Sequence, residues 1–131
     1  MTTAAHGTFE LTSFEPEAVD EAPGAELGRV RITKTFTGDL VGTGTVHMFS
    51  VTDLDGTPAA YVAVERFTGE LAGRKGSFVL QHSAPGSNGE QLAIQVVAGT
   101  GTDELVGIGG TLDIVRTDDG GHTYVLHHTL G

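Results

Sequence analysis

Glu26-Leu27-Gly28-Arg29-Val30-Arg31-Ile32-Thr33-Lys34-Thr35-Phe36 repeats with a period of two, and Gly38-Asp39 follows it as a turn. Val30, Ile32, Lys34 and Phe36 fall on one face, and Arg29, Arg31, Thr33 and Thr35 on the other. Successive side chains on a strand point to opposite faces, so this is the pattern of a half-buried β-strand. The same alternation recurs on both sides of it. Upstream, residues 7–14 read as a strand because Phe9 and Leu11 alternate with polar neighbours. Downstream, strands are expected at 41–52, 59–68, 77–83, 91–97, 105–117 and 122–130. Turn chemistry separates them. Asp55-Gly56 is a hairpin signal, since both residues tolerate the positive φ of a type I′ turn. Turns or loops are also read at 69–75, 84–89, 99–102 and 118–121.

About eight strands spaced ~8–14 residues apart, with no helical periodicity, mark an all-β antiparallel sandwich or barrel. Gly42, Gly44, Gly107, Gly109 and Gly110 sit inside strands. Glycine weakens a flat sheet but serves where a closed sheet bends or two backbones approach. The expected fold is therefore a single eight-stranded antiparallel β-barrel over residues 1–131, with little helix. Residues 1–28 differ from the rest. They hold Glu10, Glu15, Glu17, Asp20, Glu21 and Glu26 with no Lys or Arg, and Pro16 and Pro23 interrupt them. An acidic loop is expected at about 15–25.

Composition narrows the function. At 131 residues the chain has room for one domain with a real core. It contains no cysteine, which excludes disulfides, thiolate metal sites and thiol nucleophiles. Seven basic against 17 acidic residues give a formal charge of −10, a surface that repels nucleic acid and anionic membranes. The first nine residues lack the basic start and apolar stretch of a signal peptide, so a cytoplasmic location is expected.

Standard catalytic motifs are absent: there is no HExxH, GxSxG, P-loop or complete GxGxxG. Asp53-Leu54-Asp55-Gly56 lacks the remaining ligands of a calcium loop and reads as a hairpin. No two histidines stand at the i, i+2 spacing of strand ligands, so no metal is expected. Polar residues within strands are the better signal. Tyr61, Ala63, Glu65 and Phe67 share one face, with Val62, Val64 and Arg66 opposite. If the first face lines a barrel, Glu65 is a confined carboxylate whose burial raises its pKa toward that of a general acid or base. Phe78, Leu80 and His82 share a face, with Ser77, Val79 and Gln81 opposite. An inward His82 would shuttle a proton near neutral pH, and an inward Gln81 would orient a ligand carbonyl. Alternation prevents both unless a bulge intervenes. His47 lies mid-strand beside Met48 and Phe49, and the last strand places His122, Tyr124, Leu126 and His128 together. The candidate catalytic residues are Glu65 and His82. Tyr61, Gln81, His47, Phe78, Tyr124 and His128 are the candidate ligand-binding residues.

Four segments carry a resemblance. They are Phe36-Thr37-Gly38-Asp39-Leu40-Val41-Gly42, Tyr61-Val62-Ala63-Val64-Glu65-Arg66, Leu71-Ala72-Gly73-Arg74-Lys75-Gly76-Ser77-Phe78-Val79-Leu80-Gln81-His82 and Gly99-Thr100-Gly101-Thr102-Asp103-Glu104-Leu105. In this order they resemble the DUF3224 proteins, an uncharacterised bacterial family, from about Arg29 to Leu130. The resemblance implies a small barrel similar to allene oxide cyclases and dirigent proteins, and it implies no particular reaction. Barrels of that kind enclose a reactive apolar molecule and steer its geometry. The expected function is a cofactor-free cyclase or isomerase acting on an apolar small molecule in the lumen. The alternative is a barrel that binds such a molecule without catalysis. Val62, Val64 and Val79 on the outer face lead us to expect a homo-oligomer, a dimer in the simplest case.

Overall fold

The computed structural model describes residues 2–56, 58–85 and 92–130. Eight strands follow one another around a closed antiparallel barrel, each bonded to the next and β8 to β1. They are β1 Thr3–Asp20, β2 Ala25–Gly38, β3 Leu40–Asp53, β4 Pro58–Leu71, β5 Arg74–Ala84, β6 Ala93–Val96, β7 Ile108–Arg116 and β8 His122–Leu130. A 3₁₀ turn, Asp103–Leu105, interrupts the link from β6 to β7. Among the described residues no helix is long and apolar enough to cross a membrane. Of the loop expected at 84–89, residues 86–89 lie outside the described residues, as does residue 91 at the start of the expected sixth strand.

Two expectations are corrected. The acidic stretch at about 15–25 is mostly strand. β1 continues to Asp20, pairing Glu15 with Arg31, Pro16 with Val30 and Glu17 with Arg29. Proline is tolerated because β1 pairs with β8 only as far as Phe9, so its second edge is unpaired beyond that point. The acids face a strand bearing Arg29 and Arg31, and Arg29 Nη2 lies 2.8 Å from Glu17 Oε2. The turn expected at 69–75 shrinks to Ala72-Gly73, both at positive φ, with Leu71 paired to Arg74. The Asp53–Gly56 segment is the hairpin that its composition suggests: the Gly56 amide donates to the Asp53 carbonyl, and Gly56 has φ +80°.

The barrel is packed at one end and open at the other. Phe36, Leu40, Phe67, Leu71, Phe78, Leu80, Leu105, Tyr124 and Leu126 fill the end that holds the β2–β3 and β4–β5 turns. Phe36 is the hub, 5.4 Å from Phe67 and 5.6 Å from Tyr124 in edge-on contacts. The Tyr124 hydroxyl accepts from the Leu40 amide at 2.8 Å and donates to the Thr37 carbonyl at 2.9 Å, plugging this end. Gly42 and Gly69 pair across β3 and β4 there. A Cβ on either would lie 2.2 or 2.1 Å from the partner strand's carbonyl oxygen, so the sharp coiling of the sheet needs both glycines.

At the other end β1 to β4 run on as a long curved sheet. A bulge at Thr12 keeps its inner face apolar. Leu11 pairs with Lys34 but Ser13 pairs with Thr33, leaving Thr12 as the extra residue. Thr12 and Ser13 both bond the Thr33 hydroxyl, at 2.7 and 2.6 Å. The shift swaps the parity of β1, so Phe9 and Leu11 before it and Phe14, Pro16 and Ala18 after it all line the cavity.

Candidate functional site

The open end encloses a cavity of about 1090 Å³, at the upper end of the size of small-molecule sites, roughly 300–1,000 Å³. Its walls are largely apolar: Phe9, Phe14, Val30, Ile32, Val46, Met48, Ala63, Leu92 and Ile114. Glu17, Glu26, Arg29, Ser50 and Thr52 also belong to its lining. Lys34 comes from β2, Tyr61 from β4, His82 from β5, Arg116 from β7 and His122 from β8.

A buried ionic cluster lies where the cavity meets the packed core. Glu65 on β4 is wholly buried, with Val62, Val64 and Arg66 outside, as alternation requires. Its Oε1 lies 2.8 Å from His82 Nε2 and 3.3 Å from Lys34 Nζ. Lys34 and His82 are themselves only 6 and 4 % exposed. The Lys34 ammonium also sits 4.5 Å from the centre of the Phe9 ring, a cation–π contact. Gly44 makes the space for the carboxylate: a Cβ there would meet Glu65 Oε2 at 2.3 Å. That second oxygen has no hydrogen-bond partner among the described residues.

The sequence-based expectation for Glu65 is corrected in its direction. Burial does push its pKa up. The hydrogen bond from His82 and the charges of Lys34 and His82 outweigh burial, however, and hold the carboxyl below its usual range. Glu65 is therefore a carboxylate rather than a proton donor. It fixes the His82 ring and balances Lys34, while those two side chains, not Glu65, face the cavity. A carboxylate bonded to one ring nitrogen fixes the orientation and tautomer of a histidine. Tyr61, half-buried on the cavity wall, has its pKa raised by burial and by Glu65, so its phenol stays protonated as a donor.

The other candidates separate cleanly. Gln81 and His47 are exposed on the outer surface, a consequence of alternation on β5 and β3, so of the alternatives His82 and Gln81 it is His82 that points inward. Phe78 and Tyr124 are buried in the packed core, where the Tyr124 hydroxyl is used up in closing the barrel. His128 is buried on the inner face of β8, and its Nδ1 has no partner among the described residues. Neither Phe78, Tyr124 nor His128 lines the cavity. The residue omitted from the candidates is Lys34, although its shared face with Val30, Ile32 and Phe36 was a visible sign. A lysine in the inward register of an apolar strand requires a buried partner. His122 and Arg116 were also passed over. Their cross-strand pairing brings them together on the cavity wall. Among the described residues no three His, Cys, Asp or Glu side chains gather into a possible metal site.

Fold and site together define a meander barrel, plugged at one end by aromatic side chains and opening at the other into an apolar cavity floored by a Lys–Glu–His cluster. The chain belongs to the DUF3224 family: the model of that family, described as a protein of unknown function, matches residues 5–128. The match takes in β1, which the sequence resemblance had left out. A solved structure agrees over the whole length. It is a protein with unknown function from the DUF3224 family of Shewanella oneidensis MR-1, 34% identical, covering 100% of this chain and 99% of that one with a TM-score of 0.89. No curated protein matches the sequence.

Proposed function

We propose that the barrel binds an apolar small molecule and moves a proton on it without a cofactor, as an isomerase or cyclase of the kind that the likeness to allene oxide cyclases suggests. The observation that carries this reading is the Lys34–Glu65–His82 cluster, the one buried ion-pair network among the described residues, at the floor of a largely apolar cavity. His82 serves as the base. Held through Nε2 by Glu65, it takes a proton from a carbon activated by a neighbouring carbonyl. The resulting imidazolium is stabilised by the Glu65 carboxylate. The negative charge that develops on the carbonyl oxygen is met by the Lys34 ammonium and the Tyr61 phenol. Return of the proton to a different carbon completes an isomerisation, and attack by the enolate carbon on a second carbonyl of the same molecule, whose C=O π pair becomes an alkoxide that takes the proton from His82, completes a ring closure. The apolar walls supply orientation and exclude water from the reacting atoms.

Native mass spectrometry of freshly purified protein identifies the retained compound, and solvent deuterium uptake then reads proton transfer directly. The wild type is expected to incorporate deuterium at the activated carbon, and His82→Gln to slow this by roughly 10²–10⁴-fold, the usual share of a general base. A compound that binds but exchanges no proton would leave the barrel as a carrier. Equal rates in wild type and variant would remove His82 from the chemistry.

A further inference from the structure

The chain carries 17 acidic residues against seven basic ones, yet the inner wall of its cavity reverses that balance. From floor to mouth this wall presents Lys34, His122 and Arg116. The Phe9 ring links the first two: Lys34 lies 4.5 Å from its centre, and His122 stacks on it at 4.8 Å with an interplanar angle of 16°. Arg116 is cross-strand neighbour to His122, and Ile114, one inward position deeper on β7, continues the wall below it. The Arg116 side chain makes no ion pair or hydrogen bond among the described residues. The acids that line the cavity do not offset it. Glu17 is committed to Arg29 at the rim, and Glu26 belongs to the far end of β2, where it pairs with Thr52. Partial burial, with Arg116 and Lys34 nearby, depresses the His122 pKa.

We infer that Arg116 and His122 form an anion subsite at the mouth, and that the cavity takes an apolar monocarboxylate whose head is held there while its chain runs along Phe9, Ile32 and Ile114 toward the floor. The inference rests on the reading of the cavity as a ligand site and supplies the class of ligand. A carboxylate fits the Arg116 guanidinium in the two-pronged manner open to few other groups. Anchoring at the mouth also places the distal, reacting part of the molecule beside Lys34 and His82. The head group supplies binding energy remote from the reacting atoms, which is how a largely apolar site fixes a flexible substrate.

Titration calorimetry with decanoate and decan-1-ol, equal in chain length and different in head, tests this. The wild type is expected to bind decanoate at least tenfold more tightly than the alcohol. Arg116→Gln combined with His122→Gln is expected to bring the two within about twofold by weakening decanoate alone. Arg66→Gln, which removes a base from the outer face, is expected to keep the full preference. Equal binding of acid and alcohol by the wild type would overturn the anion subsite while leaving an apolar ligand site intact. A preference that survives the double variant, or that Arg66→Gln also abolishes, would overturn it too, by assigning the effect elsewhere. Failure of both probes to bind would overturn the proposed ligand class, and the retained compound would then decide the cavity's role independently.

Discussion

Glu65, Lys34 and His82 are brought together by three strands, and the other two hold Glu65 in its charged form. Removing the carboxylate leaves a buried ammonium without its counter-ion, which costs roughly 3–5 kcal/mol in comparable pairs. Glu65→Gln should therefore lower the melting temperature markedly at neutral pH, and Lys34→Met added to it should restore much of the loss. The pH dependence follows from the same contacts. The folded-state pKa of Glu65 is lowered from its ordinary value by His82 and Lys34, against the upward push of burial. As pH falls the unfolded chain takes up this proton first. The contribution of Glu65 to stability is complete above the unfolded value and is lost as pH falls through the lower folded one. Melting curves from pH 7 to pH 3 should show the gap between wild type and Glu65→Gln constant down to about pH 5 and narrowing below pH ~4. A gap that stays constant to pH 3 would contradict the depressed pKa. None of this was visible in Glu65 alone, because its neighbours in sequence, Val64 and Arg66, point the other way.

β1 shows how an element gains its course from its partners. Read alone, Pro16 and the run of acids at 15–21 argue against a strand, and the local signals support a loop. The strand persists because β2 offers a full ladder with Arg29 and Arg31 opposite Glu17 and Glu15, while the missing amide of Pro16 coincides with a part of the barrel where one edge is free. The Thr12 bulge is equally a matter of pairing. Nothing in Leu11-Thr12-Ser13 requires it, but without it Phe14 and Pro16 would face outward. β8 is tied to the β2–β3 hairpin by one side chain. Tyr124→Phe removes the donor to the Thr37 carbonyl and leaves the buried Leu40 amide unpaired. An unpaired buried amide costs about 1–3 kcal/mol, so denaturant unfolding should report a loss of about that size. A change below about 0.5 kcal/mol would mean that the hydroxyl does not close the barrel.

The molecule divides its interior between stability and use. Aromatic and leucine side chains fill the closed end, and the open end spends the same alternating pattern on a cavity wall. Outside, Phe49, Val62 and Val64 are about half exposed on neighbouring strands β3 and β4, with Phe49 paired to Val62. Val79, expected beside them, is partly covered and adds less. The homodimer anticipated from these outward valines would bury that face. Light scattering at micromolar concentration should give about twice the chain mass of 13.6 kDa, and Val62→Lys should return it to the monomer value. A monomeric mass for the unaltered protein would dispose of the expectation.

Strand number, the inward faces of β2, β4 and β8, and the inward placement of Glu65 and His82 follow from a period of two, because the direction of a side chain on a strand is a local property. The same rule sends Gln81 and His47 outward, and applied to β2 it places Lys34 inside. What alternation lacks is position along the barrel axis. Phe78, Tyr124 and His128 face inward as fully as His82, yet they fall in the packed end, since the stagger between strands decides which inward layer is core and which is cavity. The partners of Glu65 and the charge it keeps depend on that stagger, and the stacking of His122 on Phe9 depends on closure of β8 against β1. These contacts join residues 17 to 31 positions apart in the cluster, and strands at opposite ends of the chain at the seam. Only the closed sheet brings such pairs within range of one another, and so only tertiary structure decides their chemistry.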